Sequence, residues 1–347
     1  MMTDVSALSV PPADYDPQAI ALPPVEIGPT LDDWRAQREQ VRETWLDYLG
    51  DGPELVPLEP EVHEQEDLGE LTRSLVSYQV EEDCRVEAYL MRPKSERPLP
   101  GVLVYHPTTN DTILQPAGLA PAPEKHFGLK LAQRGYVTLS PRNYLWHYAG
   151  LERRDDPAAE RTNIVSALFE RWPQWTGMGK MVWDGLRAVD YLLTVPGVDA
   201  ERLGCVGHSL GAKEVIHSLA LDERLKAGVS SEGGVGVSFS NWDAPWYLGE
   251  RIHTREDLDH HQLIALCAPR ALLVLGGGGD PGSRPEGEYL GADGPASWNY
   301  LEAARPAYEL FGASEKLGML LHDKGHAVPP EAEAALYAWC DHFVKTA

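Results

Sequence analysis

The spacing of apolar residues changes near position 70. Upstream, residues 1–29 are rich in Pro and acidic side chains and carry no period, which predicts an extended arm lying on the body. Leu31, Trp34, Val41, Trp45 and Leu49 then follow at near-helical spacing. Thr30 stands where a capping box with Asp33 would start this helix, and Gly50 ends it. Gly52 to Glu66 reads as an acidic connector. Downstream, Leu71–Val80 and Cys84–Leu90 read as an antiparallel hairpin around Glu81-Glu82-Asp83. Short apolar runs follow at 102–105, 136–139, 203–206, 227–229, 271–275 and 318–321, with helical stretches between most of them. The clearest helix places Val182, Leu186, Val189 and Leu193 on one face. The last places Leu336, Trp339, Cys340 and Phe343 on one face after Pro329-Pro330. Strands that are apolar throughout and alternate with helices indicate a parallel sheet covered on both faces. The prediction is an α/β fold: a mostly parallel eight-stranded sheet with an antiparallel N-terminal hairpin.

Size and composition narrow the function classes. At 347 residues the chain can bury about three quarters of its unfolded surface, so it needs neither disulfides nor a metal to fold. A net charge of −23 repels phosphate backbones and anionic lipid, so nucleic acid and membrane surfaces are poor partners. No apolar run approaches the roughly 18 residues needed to span a bilayer. The four cysteines, Cys84, Cys205, Cys267 and Cys340, are far apart and read as single buried thiols in a reducing compartment. The N-terminus has no basic stretch followed by an apolar one, which predicts a cytoplasmic protein.

The segment that carries chemistry is Leu203 to Val215, which reads strand, Gly207-His208-Ser209-Leu210-Gly211, then helix. In such a turn the two glycines remove side chains that would collide with the neighbouring strand and helix, and the serine hydroxyl stands above the sheet edge. The helix N-terminus, with the Leu210 N–H, can stabilise an oxyanion. The plainer alternative is a glycine-rich turn with a capping serine. A serine is a weak nucleophile without a base. In this architecture the order is serine, acid, histidine, and His326 in Leu321-His322-Asp323-Lys324-Gly325-His326 fits. His322 and His326 have the spacing of a metal pair, but Gly325 argues for a loop and no third ligand accompanies them. No metal site is expected, and His322 reads as structural.

Three carboxylates compete to orient His326. Asp280 follows the strand at 271–275 through Gly276–Gly279 and is placed first; Glu232, in Ser230-Ser231-Glu232-Gly233-Gly234, is a close second; Asp293 is the third. A second oxyanion donor is expected after the strand at 102–105. There Pro107 has no N–H, which leaves Thr108. Trp146, Trp172, Trp175, Trp242, Trp246, Tyr247 and Trp298 crowd the side where a substrate would enter. Gly276–Gly279 matches no phosphate-binding loop.

These motifs together resemble the α/β-hydrolase superfamily, and within it the dienelactone-hydrolase and acetyl-xylan-esterase-like serine carboxylesterases. The resemblance covers roughly residues 70–345. It rests on Trp183–Leu192, Val198–Leu203, the Ser209 turn, Ala268-Pro269-Arg270 and Lys324-Gly325-His326. Ser230–Gly234 is similar to the glucuronoyl-esterase segment that supplies the acid. Dienelactone hydrolases proper carry cysteine at the turn, so their ring-opening specificity is not implied here. The implied organisation is an arm and helix over 1–70 and a catalytic domain over 71–347. Insertions are expected near 108–125, 141–178, 233–265 and 276–297. The implied function is cofactor-free hydrolysis of a small or carbohydrate-linked ester by Ser209, His326 and one of the acids. A prolyl-oligopeptidase-like peptidase and a non-catalytic binding protein on the same scaffold are the alternatives. Self-association into a homo-oligomer stays open.

Overall fold

The computed structural model describes residues 4–11, 16, 20–148, 157–278 and 291–346, with backbone alone at 157–160. Helix α1 (Leu31–Leu49) starts at the expected capping box: the Thr30 hydroxyl accepts the Asp33 N–H and the Asp33 carboxylate accepts the Thr30 N–H, each at 3.2 Å. It buries Trp34 and Trp45 completely. The arm before it lays Leu8, Ile20, Leu22, Val25 and Ile27 on the core.

Among the described residues, nine strands form one sheet in the order β1-β2-β3-β5-β4-β6-β7-β8-β9. These are β1 (Glu61–Asp67), β2 (Leu71–Glu81), β3 (Cys84–Pro93), β4 (Leu99–Tyr105), β5 (Val137–Pro141), β6 (Val198–His208), β7 (Leu225–Ser231), β8 (Ala271–Gly276) and β9 (Leu317–Leu321). β1, β2 and β3 pair antiparallel, as does β3 with β5; β5, β4 and β6 to β9 are parallel. The six parallel runs and the hairpin stand where hydrophobic spacing put them. The ninth strand, β1, replaces the end of the expected acidic connector. All seven of its residues are exposed, so Glu-Val-His-Glu-Gln-Glu-Asp has no buried face to reveal a period. Its charges suit an edge strand that must not pair with another chain.

Helices α2 (Phe127–Gln133), α3 (Pro157–Arg171), α4 (Gly177–Thr194), α5 (Leu210–Leu221), α6 (His261–Cys267), α7 (Ser297–Leu310) and α8 (Pro330–Phe343) complete the layers. Two apolar clusters occupy the two faces of the sheet, one under α1, α4, α5, α6 and α7, the other under α2 and α8. All four cysteines are buried and free. Among the described residues no helix is long and apolar enough to cross a membrane.

One buried ion cluster ties the hairpin to α4. Lys180 is fully buried, and its ammonium lies 2.6 Å from both Glu81 at the end of β2 and Asp184 one turn along α4. The Trp172 indole N–H donates to the other Glu81 oxygen at 2.8 Å. Removing the lysine would strand two buried carboxylates, which costs about 3–5 kcal/mol. Lys180→Met is therefore predicted to lower unfolding free energy by about that amount in a urea titration. A loss under 1 kcal/mol would mean that the carboxylates find other partners.

Candidate active site

A parallel sheet aligns the C-terminal ends of its strands, and the candidate residues gather there. Ser209 follows β6 and opens α5, with φ 59° and ψ −118°. This is left-handed backbone that a serine adopts only under constraint. The two flanking glycines make the turn possible. A Cβ on Gly207 would lie 2.3 Å from the Gly211 carbonyl oxygen, and one on Gly211 would lie 2.3 Å from the Tyr105 carbonyl oxygen of β4. The turn is further fixed by the Ser209 N–H, which donates to the Ser231 carbonyl of β7 at 2.8 Å. Leu210 is the first residue of α5, and Thr108 lies just beyond β4, the sheet neighbour of β6.

His326 lies on the loop after β9. Its Nδ1 is 3.2 Å from an oxygen of the fully buried Glu232 side chain, at the end of β7. The strand between them is β8, and Glu232 spans its end. The Glu232 N–H donates to Leu275 O at 2.8 Å, and Gly276 O accepts the His322 N–H at 2.9 Å. Gly277 clears the path: a Cβ there would lie 2.1 Å from Gly325 O and 2.9 Å from Glu232 Oε1. The Ala292 N–H donates to the same Glu232 oxygen that faces the imidazole, at 2.5 Å. Burial, and then the charge of Asp293, push the Glu232 carboxyl up to about 9, although the N–H groups of Ala292, Gly277 and Asp293 act to lower it. A carboxylate only accepts, so the ionised form is the one this ring of donors fits. Burial, with Lys125 and Lys213, pushes the His326 imidazole down to about 4, so the ring is neutral at ordinary pH. His208, inside the turn, packs its ring 4.7 Å from that of His326 and shares a 3.1 Å hydrogen bond with Ser231 Oγ.

The other two acids differ. Asp280 lies outside the described residues. Asp293 is buried and accepts the Gly234 and Val235 N–H groups and the Ser297 hydroxyl, each at 2.8 Å. It braces the loop that follows Glu232. His322 accepts the Lys324 N–H at 3.3 Å. Trp242 and Tyr247 line a group that sequence reading passed over. Lys213 sits one helical turn past Ser209, 4% exposed, its ammonium 3.7 Å above the Trp242 ring and 2.8 Å from Ser240 Oγ. Burial pushes it down to about 7 against the charges of Asp293 and Asp243. The available signal was a lysine four residues after Ser209 in a mostly apolar helix. A groove of about 1200 Å³ along α8, lined by Val5, Arg134, Tyr337 and Phe343, holds none of the candidate residues.

Residues 86–245 match the model of the dienelactone hydrolase family. The match covers a little under half of the chain. The chain's fold is of the α/β-hydrolase type, close to that of a glucuronoyl esterase from Solibacter usitatus, with TM-score 0.69, 19% identity, and 95% of this chain and 99% of that one covered. The chain also aligns with a carbohydrate esterase, MZ0003, from an unknown prokaryotic organism, at 30% identity over 35% of this chain and 32% of the relative. A 4-O-methyl-glucuronoyl methylesterase 1 from Sodiomyces alcalophilus is 28% identical over 41% of this chain and 32% of its own length. The chain thus spans about a third of the length of these two relatives.

Four buried or half-buried histidines make stability depend on pH. Burial pushes His106, His217, His261 and His326 each down to about 4. Their unfolded value is near 6.5, so below it the unfolded chain binds more protons than the folded one. Stability from these groups is complete above pH 6.5 and lost as pH falls toward 4, at up to about 1.4 kcal/mol per pH unit for each. Urea midpoints at pH 7, 6, 5 and 4 are predicted to fall steadily; a flat profile would mean that the rings charge without penalty.

Proposed function

We propose that this chain is a serine hydrolase that cleaves a carboxylic ester through an acyl-enzyme. The observation that carries the reading is the hydrogen bond from His326 to buried Glu232, beside a serine on a strained, glycine-flanked turn. In this mechanism Glu232 accepts the His326 Nδ1–H, which leaves the Nε2 lone pair to take the Ser209 proton. Ser209 Oγ attacks the carbonyl, and the N–H groups of Leu210 and Thr108 hold the oxyanion. His326 then protonates the departing alcohol, and water, activated the same way, releases the acid. Nothing in this sequence of steps calls for a metal or an organic cofactor. The names of the relatives support a carbohydrate-linked ester as substrate.

The test is turnover of short nitrophenyl esters and of a glucuronate ester by wild type and Ser209→Ala, with a fluorophosphonate label located by mass spectrometry. We predict label on Ser209 in the wild type and a loss of about 10³-fold or more in kcat for the variant. Folded wild-type protein with neither turnover nor label would overturn the reading and leave a binding protein.

A further inference from the structure

His106 stands outside the reaction proposed above, yet every polar atom of its ring is committed. It follows β4, is 1% exposed, and packs against the edge of Trp146 with ring centroids 5.1 Å apart. The Asn143 backbone N–H points at its Nε2 from 3.1 Å. A backbone N–H can only donate, so Nε2 must hold a lone pair and the proton of the neutral ring sits on Nδ1. Nδ1 is 2.8 Å from the carbonyl oxygen of Pro107 and donates to it. Asn143 is itself held, its side chain accepting the Leu145 N–H at 3.1 Å and donating to Glu214 of α5 at 3.0 Å.

The Pro107 carbonyl and the Thr108 N–H belong to one planar trans peptide, in which they point in opposite directions. Fixing one fixes the other. Pro107 has no N–H to offer, so this loop must present that of Thr108. Thr108 is anchored on its other side by a side-chain hydrogen bond with the buried Tyr247 hydroxyl.

We infer that His106 is a positioning residue that aims the Thr108 N–H at the oxyanion by holding the Pro107 carbonyl away from it. The inference rests on the ester-hydrolase reading. Burial, with Arg142 nearby, pushes His106 down to about 4, so the required tautomer persists across the working pH range.

The test compares His106→Leu, which removes the donor, with His106→Asn, whose side-chain amide N–H replaces the Nδ1–H. The readouts are nitrophenyl-ester kinetics and inhibition by a trifluoromethyl ketone, which forms a tetrahedral adduct on the serine. An ether analogue with no carbonyl is the control. We expect His106→Leu to lose about 10- to 100-fold in kcat with KM within two-fold, ketone affinity falling in parallel and ether affinity unchanged. His106→Asn should recover most of the loss. Equal weakening of ether binding, wild-type kcat in His106→Leu, or failure of folded His106→Asn to recover would overturn the inference. Fluorophosphonate labelling of wild-type Ser209 separates the two claims: without label the hydrolase reading itself fails, and with it this one.

Discussion

The site depends on one carboxylate reaching across a strand. Glu232 leaves β7, His326 arrives after β9, and the end of β8 lies between them. A side chain on Gly277 would fill that gap, since its Cβ would meet both the Gly325 carbonyl and the Glu232 carboxyl. Glu232 itself adopts φ 59°, a conformation that costs free energy and persists only where its surroundings fix it. Those surroundings are the Leu275 carbonyl below its N–H and the Ala292 N–H on its carboxyl. Asp293, next in sequence to Ala292, holds the N–H groups of Gly234 and Val235. One short segment therefore secures the carboxylate and the loop that carries it.

The rest of the sheet supplies the other half of the geometry. Its parallel register sets Ser209, Glu232 and His326 at one edge, and the close approach of α5 to β4 sets Leu210 beside the 106–108 loop. Ser209 and Glu232, at this edge, both lie in left-handed backbone without being glycine. Strain of this kind is tolerable on a sheet whose central strands are buried on both faces and whose hairpin is tied to α4 by Lys180. The histidines beneath are kept neutral by burial, which preserves them as acceptors and bases rather than cations.

Much of this was legible in the chain. The Ser209 turn needs two glycines at fixed offsets between a strand and a helix, and that local requirement is written in sequence. His326 follows from the order of elements. The acid was harder because Glu232 and Asp280 both follow apolar strands, and periodicity says nothing about which carboxylate crosses a neighbouring strand end. The glycine run at 276–279 carried the clue, but its meaning is steric and appears only when Gly277 faces Gly325 and Glu232. β1 was hidden for the opposite reason: a strand exposed on both faces has no hydrophobic pattern. Lys213 escaped notice because a lysine in a helix is ordinary until its helix is seen to be buried all round.

The account turns on Glu232 as the residue that orients His326, and the direct measurement is kcat/KM for Glu232→Gln beside Asp280→Asn, with both variants shown to be folded. The proposal predicts a loss of about 10⁴-fold for Glu232→Gln, because the wrong tautomer of His326 is then favoured, and near wild-type turnover for Asp280→Asn. The reverse pattern, with Asp280→Asn inactive and Glu232→Gln active, would contradict it.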